Sequence, residues 1–591
     1  MRILTLVACI FFVAFSFGQN EELAKRYFEE GEFEKALSSY QRLYDSNKGN
    51  SNYFFKIVEI YQQLEQLDES ERLLVNKIAR NKSPHYLVEL GYNYQLKNDS
   101  LYAKKYYQLA RDAIEEKPIF AYNVAKSFEN HSLIDRAAEV YERAMVLRPQ
   151  SNYNMQLARI YGEQGKVGQM FSKYIDFIEL NTTYINYAKR SFSEYISEDG
   201  LDENNILLRK ALLKKSQQAP NILWNQLLSW LFVQQHDYKK AFAQEKAIHK
   251  RHQELQGVID LSDMAIEENQ YEIASEILDY IIQNSYDAET ILYAHQDLIE
   301  LRILKSDPKS YNTIRASYNA LFDQYGRNET TLDLQLSEAN FIAFYLNEPV
   351  TASNLLKESL NNNLSKYQQA KLKLKLGDIL VFQEKFNEAL IYFTQIQKSL
   401  KNSTLAQEAR FKVAKTSYYK GDFEWAETQL KVLKSSTSQL IANDALDLKL
   451  LISDNKYDDS TQTALKLYAK ADLYAYQNKS IEAINLLNTI LENHKTESII
   501  DQALYTQAKL FEKLGQLDKA ESNYKKIIED FREDILADDA YFHLAELYAN
   551  KLNSAEEAKP LYEKILFEYL DSIYYVEARK KYRQLRGDDI N

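Results

Sequence analysis

The stretch from Tyr27 to Asp45 reads YFEEGEFEKALSSYQRLYD, and the stretch from Leu510 to Asp530 reads LFEKLGQLDKAESNYKKIIED. Tyr27 corresponds to Phe511, Gly31 to Gly515, Phe33 to Leu517, Ala36 to Ala520, Tyr40 to Tyr524 and Leu43 to Ile527, all at one constant offset. In each phrase apolar residues fall three and four apart, so they share one face of a helix. A glycine lies midway, where a helix would stop in a left-handed residue. The phrase therefore encodes two short helices joined by a turn, each with one apolar stripe. A single unit of this kind leaves its stripe uncovered. Neighbours must cover it, so the phrase has to recur.

It does recur. The small residue of the opening phrase returns at Ala36, Ser70, Ala103, Ala137 and Met170, a spacing that alternates between 34 and 33. Four residues after each marker stands a large one: Tyr40, Leu74, Tyr107, Tyr141 and Tyr174. Twelve residues before each lies a second slot (Ala24, Val58, Gly91, Ala125, Ala158), followed three later by Tyr27, Tyr61, Tyr94, Phe128 or Tyr161. Small residues let paired helices cross closely, while the aromatics fill the space beside the crossing. The frame also fits Ala241 and Ala274, then Ala352, Ala389 and Ala426 in steps of 37, then Ala483, Ala520 and Ala558 in steps of 37 and 38. That makes 13 units.

Thr182 to Pro220 and about Asp287 to Gln335 fall outside the frame but still read as helical, as in ENNILLRKALLKKS, and are expected to be degenerate repeats. The longer step from Ala426 to Ala483 leaves room for one added helix. KLKLKLG (371–377) alternates like a strand, yet its register makes it the flank of a first helix. Six of the seven prolines lie near expected helix ends; Pro560, inside AKPLYEKIL, implies a late helix start.

LGYNY (Leu90 to Tyr94) and AAEVYERAMVLRP (Ala137 to Pro149) carry the whole pattern, and the frame resembles the tetratricopeptide repeat. The resemblance implies an all-α fold, a right-handed superhelical solenoid of antiparallel helix pairs, whose first helices line a concave protein-binding face. DFREDILADDAYFHLAELY (Asp530 to Tyr548) and FEYLDSIYYVEARKKYRQL (Phe567 to Leu585) look like a narrower group. These are the bacterial periplasmic repeat proteins of the Tol–Pal system and the repeat lipoprotein of the β-barrel assembly machinery. Asp571-Ser572 and Glu577-Ala578-Arg579 match, Ala409-Arg410 falls at the same slot, and Leu570 stands where that group usually has Pro. Asp99-Ser100-Leu101 and Asp571-Ser572-Ile573 resemble Bacteroidota O-glycosylation sites.

The N-terminus, MRILTLVACIFFVAFSFGQN, has one charge at Arg2, an apolar run from Ile3 to Phe17, and small residues at Ser16 and Gly18. Residues 1–18 are expected to be a cleaved signal peptide, leaving Gln19 first. Leu6-Val7-Ala8-Cys9 resembles a lipobox, but only seven residues precede Ala8 and the apolar run continues, so Cys9 reads as part of the signal core. A peripheral outer-membrane association stays in view. Cys9 is the only cysteine, so a cleaved chain has no disulfide and no thiol chemistry. No later segment is apolar for long enough to span a bilayer. With 85 acidic against 73 basic residues the net charge is −12, and nucleic acid is excluded as a partner. Only 14 glycines and 7 prolines punctuate 591 residues, as a long helical protein requires.

The expected organisation is a signal peptide (1–18), an N-terminal array (19–181), degenerate helical repeats including two regular units (182–335), and a C-terminal array with a longer period and a capping helix (336–591). Catalytic motifs are missing: there is no GxGxxG, P-loop, GxSxG or HExxH. His249 and His252 share a helical face without a nearby third ligand, and Glu29-Glu30 and Asp538-Asp539 read as helix or linker charges. No catalytic residue, cofactor or metal is expected.

The family resemblance implies a non-enzymatic periplasmic scaffold that binds other cell-envelope proteins or extended peptide segments through two rows of the first helices. The first row is Phe55, Val88, Tyr122 and Met155; the second is Glu59, Tyr92, Lys126 and Arg159. The first-row slot is also large and apolar at Leu374, Phe411, Tyr505 and Phe542, as a structural position would be, whereas the second row changes in charge from repeat to repeat. The carboxylate clamp of chaperone-binding repeats is not matched, because its positions hold Glu21, Lys25, Lys56 and Glu89. The alternative is an accessory or catalytic protein of peptidoglycan remodelling, built like the superhelix of lytic transglycosylases. Those enzymes add a separate catalytic domain, and here repeats run to within a few dozen residues of Asn591.

Overall fold

The computed structural model describes residues 20–433, 438–457 and 461–588; the expected signal peptide, with Cys9, and the expected new terminus Gln19 lie outside the described residues. Among the described residues there are 32 α-helices and three short 3₁₀ turns, and no strand. The fold is an α-solenoid of antiparallel helix pairs. It divides into two compact units, Met1–Glu254 and Leu255–Asn591. This division falls inside the block expected over 182–335, just after the helix Tyr238–His252 stops on Gln253 at φ 60°. The expected boundary between 335 and 336 falls within the helix Leu332–Phe344 and needs correcting. Counting back from Ala352 reaches the middle of this first helix and misses its opening turn.

All 13 marker residues, from Ala36 to Ala558, are the fourth residue of a second helix, and none is more than 4 % exposed. Five residues before each marker the chain turns left-handed, at φ between 52° and 77°. Four of these turn residues are glycines (Gly31, Gly165, Gly421, Gly515). Five are asparagines (Asn98, Asn269, Asn347, Asn478, Asn553), and the others are Glu65, Ser132, His236 and Glu384. Asparagine tolerates this conformation because its side chain can bond locally. The next residue donates its N–H back across the turn, as from Glu32 to the Tyr27 carbonyl (2.8 Å), Lys166 to Tyr161 (2.8 Å) and Gln516 to Phe511 (2.9 Å). This is the Schellman closure of a helix C-terminus. In these three turns the carbonyl used belongs to the aromatic slot, so one residue both fills the crossing and closes the turn.

The crossing is as close as the small residues suggest. A Cβ added to Gly91 would lie 2.6 Å from the Tyr107 ring, and one added to Gly377 would strike Phe393. In both pairs the glycine is twelve residues before the marker and the aromatic four after it.

In the first unit, Thr182–Pro220 supplies the helices Ile185–Ser193 and Glu203–Gln218, a complete pair. In the second, Ala288–Leu304 pairs with Tyr311–Tyr325 across the stretch outside the frame. The added helix expected between Ala426 and Ala483 is Gln439–Asn455, packed on Phe423–Leu433. KLKLKLG lies within the helix Lys366–Phe382, which opens with a capping box between Ser365 and Gln368. Pro560 needs a correction: its helix starts at Ala555, not late, and holds the proline within it. Pro560 is exposed, so water can take the place of the amide it lacks.

The second unit also departs from stacking between neighbours alone. Tyr476 Oη donates to the Asp378 carbonyl (3.2 Å), Gln477 Nε2 to Phe382 (2.9 Å) and Asn478 Nδ2 to Phe344 (3.3 Å). Lys470 pairs with Glu384 at 2.7 Å. The Tyr476 ring packs against Phe344 at 5.6 Å and against Phe382 and Tyr419 at 6.3 Å. The end of the helix Thr463–Tyr476 is thus clasped to helices from several pairs earlier in the chain, the first of them Leu332–Phe344.

Candidate binding site on the first-helix face

Three successive first helices of the first unit, Ala121–Asn130, Asn154–Glu163 and Ile185–Ser193, carry the candidate site. Each has a buried aromatic near its end: Phe128, Tyr161 and Phe192. Two residues before each stands a cation: Lys126, Arg159 and Arg190. Burying the aromatic faces the cation outward, and all three are exposed. Lys126 and Arg159 line one cavity of about 160 Å³ with Glu129 and Glu163. Arg159 and Glu163 also line the adjoining cavity, about 440 Å³, with Arg190, Glu194, Tyr187 and Tyr195.

The charges at this site differ in how far they are satisfied. Lys126 pairs with Glu129 at 2.9 Å, and Glu129 also accepts from the Tyr141 hydroxyl at 3.0 Å. Arg159, Glu163, Arg190 and Glu194 are exposed, and among the described residues none makes an ion pair or a side-chain hydrogen bond. Beside them Lys189 reaches over the Trp230 ring at 5.8 Å, and burial holds its amine below the usual lysine range despite Glu245 nearby. Two guanidinium groups and two carboxylates therefore face one tyrosine-rimmed cavity with their hydrogen-bonding capacity open.

The remaining predicted residues are placed differently. Glu59 is held by Lys56 at 2.8 Å. The Tyr92 ring stacks on His131 at 3.8 Å, and His131 Nε2 meets Glu89 at 2.8 Å, so this group joins two neighbouring first helices. Phe55 is half-buried and stacks on Tyr86 at 5.4 Å. Val88 is fully buried and cannot line a groove, which corrects its place in the first row. Tyr122 is 48 % exposed and Met155 half-buried. Carboxylates thus lie beside the cations of the second row, so both signs of charge face the cavities.

Arg190 and Glu194 were not expected, since counting on small residues fails there: Lys189 stands three before Phe192, where the frame has a small side chain. Counting from the aromatic slot puts Arg190 in one row with Glu59, Tyr92, Lys126 and Arg159, each two residues before its aromatic.

His249 and His252 lie on the helix Tyr238–His252, and among the described residues no three His, Cys, Asp or Glu gather as a metal site. No helix among the described residues is long and apolar enough to cross a membrane.

The family model for the tetratricopeptide repeat matches residues 505–571. No curated protein sequence matches the chain. Among solved structures, the chain is similar to one in the APC/C hetero-tetramer Cut9–Hcn1, at 13% identity over 95% of each chain with a TM-score of 0.25. It is also similar to one in Naa15/Naa10 bound to HypK-THB, at 13% identity over 96% of this chain and 92% of that one, again with a TM-score of 0.25. At such scores neither carries an argument about function.

Proposed function

We propose that the protein is an exported, non-enzymatic scaffold of the bacterial cell envelope that binds an extended segment of another protein across the first helices 121–130, 154–163 and 185–193. The observation behind this reading is the cavity where Arg159, Arg190, Glu163 and Glu194, among the described residues, make no ion pair or side-chain hydrogen bond and stand among tyrosines. An extended main chain presents carbonyls to guanidinium groups and amides to carboxylates at a short repeat, which such a cavity can meet at both signs. The charges set register and on-rate more than affinity, and the tyrosines supply contact area. The envelope location rests on residues 1–18 and on the narrower resemblance of the C-terminal repeats.

The experiment is site-specific photocrosslinking in cells. A photoreactive residue at Tyr187 should capture a discrete polypeptide that Trp425, exposed in the second unit, does not. Arg159→Glu with Arg190→Glu should abolish the adduct at unchanged helical content. An identical adduct in that variant would place the binding surface elsewhere. Mass mapping of the N-terminus tests export: a mature chain beginning at Gln19 is expected, and a retained Met1 or a lipidated Cys9 counts against it.

A further inference from the structure

The last linker of the second unit repeats the backbone turns of the one before it, where Asp534 N–H meets the Phe531 carbonyl and Ala537 N–H meets that of Asp534, and differs in its side chains. Residues 569–575 form two consecutive turns, closed by Ser572 N–H to the Tyr569 carbonyl (3.0 Å) and Tyr575 N–H to the Ser572 carbonyl (3.1 Å). Tyrosines among them turn inward: Tyr569 packs on Tyr541 at 5.5 Å and Tyr574 stacks on Phe542 at 4.2 Å. Apolar side chains are left outside, with Phe567 72 %, Leu570 66 %, Ile573 84 % and Val576 79 % exposed. Linkers need not be like this. The matching positions one repeat earlier hold Glu529, Arg532, Ile535 and Asp538, charged in three of four.

Directly after this edge, five of the twelve residues of the helix Tyr575–Arg586 are Lys or Arg and one is Glu, in a chain of net charge −12. Arg579 and Lys580 are exposed, and among the described residues neither makes an ion pair. Side chains this exposed protrude and do not wall a groove. A second copy docking on the same face would bring two cationic helices together, which disfavours it. An anionic bilayer surface accommodates both features, apolar side chains at the acyl boundary and cations among the headgroups.

We propose that this end of the second unit docks on an anionic lipid surface, with Phe567, Leu570, Ile573 and Val576 entering the interface and Arg579 and Lys580 at the headgroups. This is a second surface, independent of the polypeptide site in the first unit.

Flotation of the purified mature protein with unilamellar vesicles tests it. The protein should float with phosphatidylglycerol–phosphatidylethanolamine vesicles and stay behind with phosphatidylcholine alone. Joint replacement Phe567→Ser, Leu570→Ser, Ile573→Ser and Val576→Ser should abolish flotation. All four side chains are exposed, so an unchanged thermal melt separates lost docking from lost folding. Arg579→Gln with Lys580→Gln should weaken binding to the anionic vesicles roughly 25-fold, at about fivefold per cation near a charged surface. An environment-sensitive dye on Ile573→Cys should shift to the blue with anionic vesicles. The proposal is overturned if the wild type floats with neither vesicle or equally with both, or if the serine variant still floats. Lipid-free self-association that the serine replacements remove would overturn it too, by making this face a contact between copies.

Discussion

Helix pairs in the first unit and in the second mostly share a second helix of 14 residues, with exceptions such as Ser100–Glu116 at 17 and Pro349–Ser359 at 11, and differ more in the first. Second helices such as Phe33–Ser46, Ile134–Leu147, Phe386–Ser399 and Leu517–Asp530 all have 14 residues. First helices have 10 residues at Ala121–Asn130 and Asn154–Glu163, but 17 at Lys366–Phe382 and 16 at Thr404–Tyr419. The second helix holds the marker residue as its fourth and follows the left-handed turn, so crossing geometry fixes where it starts. The first helix can lengthen without disturbing either. In the second unit the lengthened helices take part in bonding between distant pairs, as at Asp378, Phe382 and Tyr476. The side-chain bonds named in the first unit stay between neighbours, as from His131 to Glu89. One repeat frame thus supports both an array tied only to its neighbours and one tied across several repeats.

The largest test of that difference removes a ring from each unit. Tyr476→Ala should cost about 3 kcal/mol, and Tyr141→Ala, fully buried in the first unit, about as much. Their reach should differ. Hydrogen exchange should rise across 332–420 as well as 463–493 for Tyr476→Ala, but only over 121–163 for Tyr141→Ala. Equal spread in the two variants would end the distinction.

Next come the close crossings, where the units should agree. Gly91→Ala and Gly377→Ala should each cost about 1–3 kcal/mol in a chemical melt, because the Tyr107 or Phe393 ring must move. Phe393→Leu should recover part of the second loss by vacating space.

A smaller effect should have opposite signs in the two units. Burial, then the neighbouring Asp538, pushes the Asp539 carboxyl up to about 6, although Tyr574 and Tyr505 donate to it. This folded value lies above the usual one, so ionisation opposes folding above pH 6 and the penalty is gone below about pH 4. Asp539→Asn should therefore stabilise by about 1 kcal/mol at pH 7.5 and by nothing near pH 4. For Glu71 burial pushes upward, but hydrogen bonds from Lys97 and Tyr94 outweigh it and hold the carboxyl below its usual range. Its contribution is present at neutral pH and lost as pH falls through that lowered value. Glu71→Gln should cost about 0.5–1 kcal/mol at pH 7 and progressively less in acid. Melts of the two variants against pH check both signs.

The smallest test compares one turn position. Glu65 and Glu384 both sit left-handed, at φ 58° and 60°. Glycine relieves that strain, so Glu65→Gly should be neutral or stabilising by about 0.5 kcal/mol. Glu384→Gly also loses the bonds to Lys470 and Gln477, and should destabilise by about 1 kcal/mol.

The helix pairs were legible because small and aromatic slots recur at short range, where local geometry dictates residue type. Nine of the thirteen left-handed turns escaped a search for glycine, since asparagine, serine, histidine and glutamate occupy them at modest strain. The clasp at Tyr476 was not legible: it joins positions far apart in the chain, and no periodic pattern records such a meeting. At the site, Lys126 and Arg159 could be found from the repeat, whereas Arg190 was hidden by Lys189 at a slot otherwise kept small. Tyr92, expected in the partner-binding row, stacks on His131, and nothing near Tyr92 in the chain announces that residue, which follows the next first helix.

The clasp also has a mechanical consequence. A stack joined only through neighbouring pairs lengthens under tension by small rotations at each joint, like a coiled spring. Between Phe344 and Asn478 that motion is blocked, because hydrogen bonds at 2.9–3.3 Å and the Lys470–Glu384 ion pair connect points far apart along the coil. Pulled from its ends, the second unit should hold this section at fixed length while the repeats from Ile500 onward extend first. The section should then yield in one larger step when the clasp breaks.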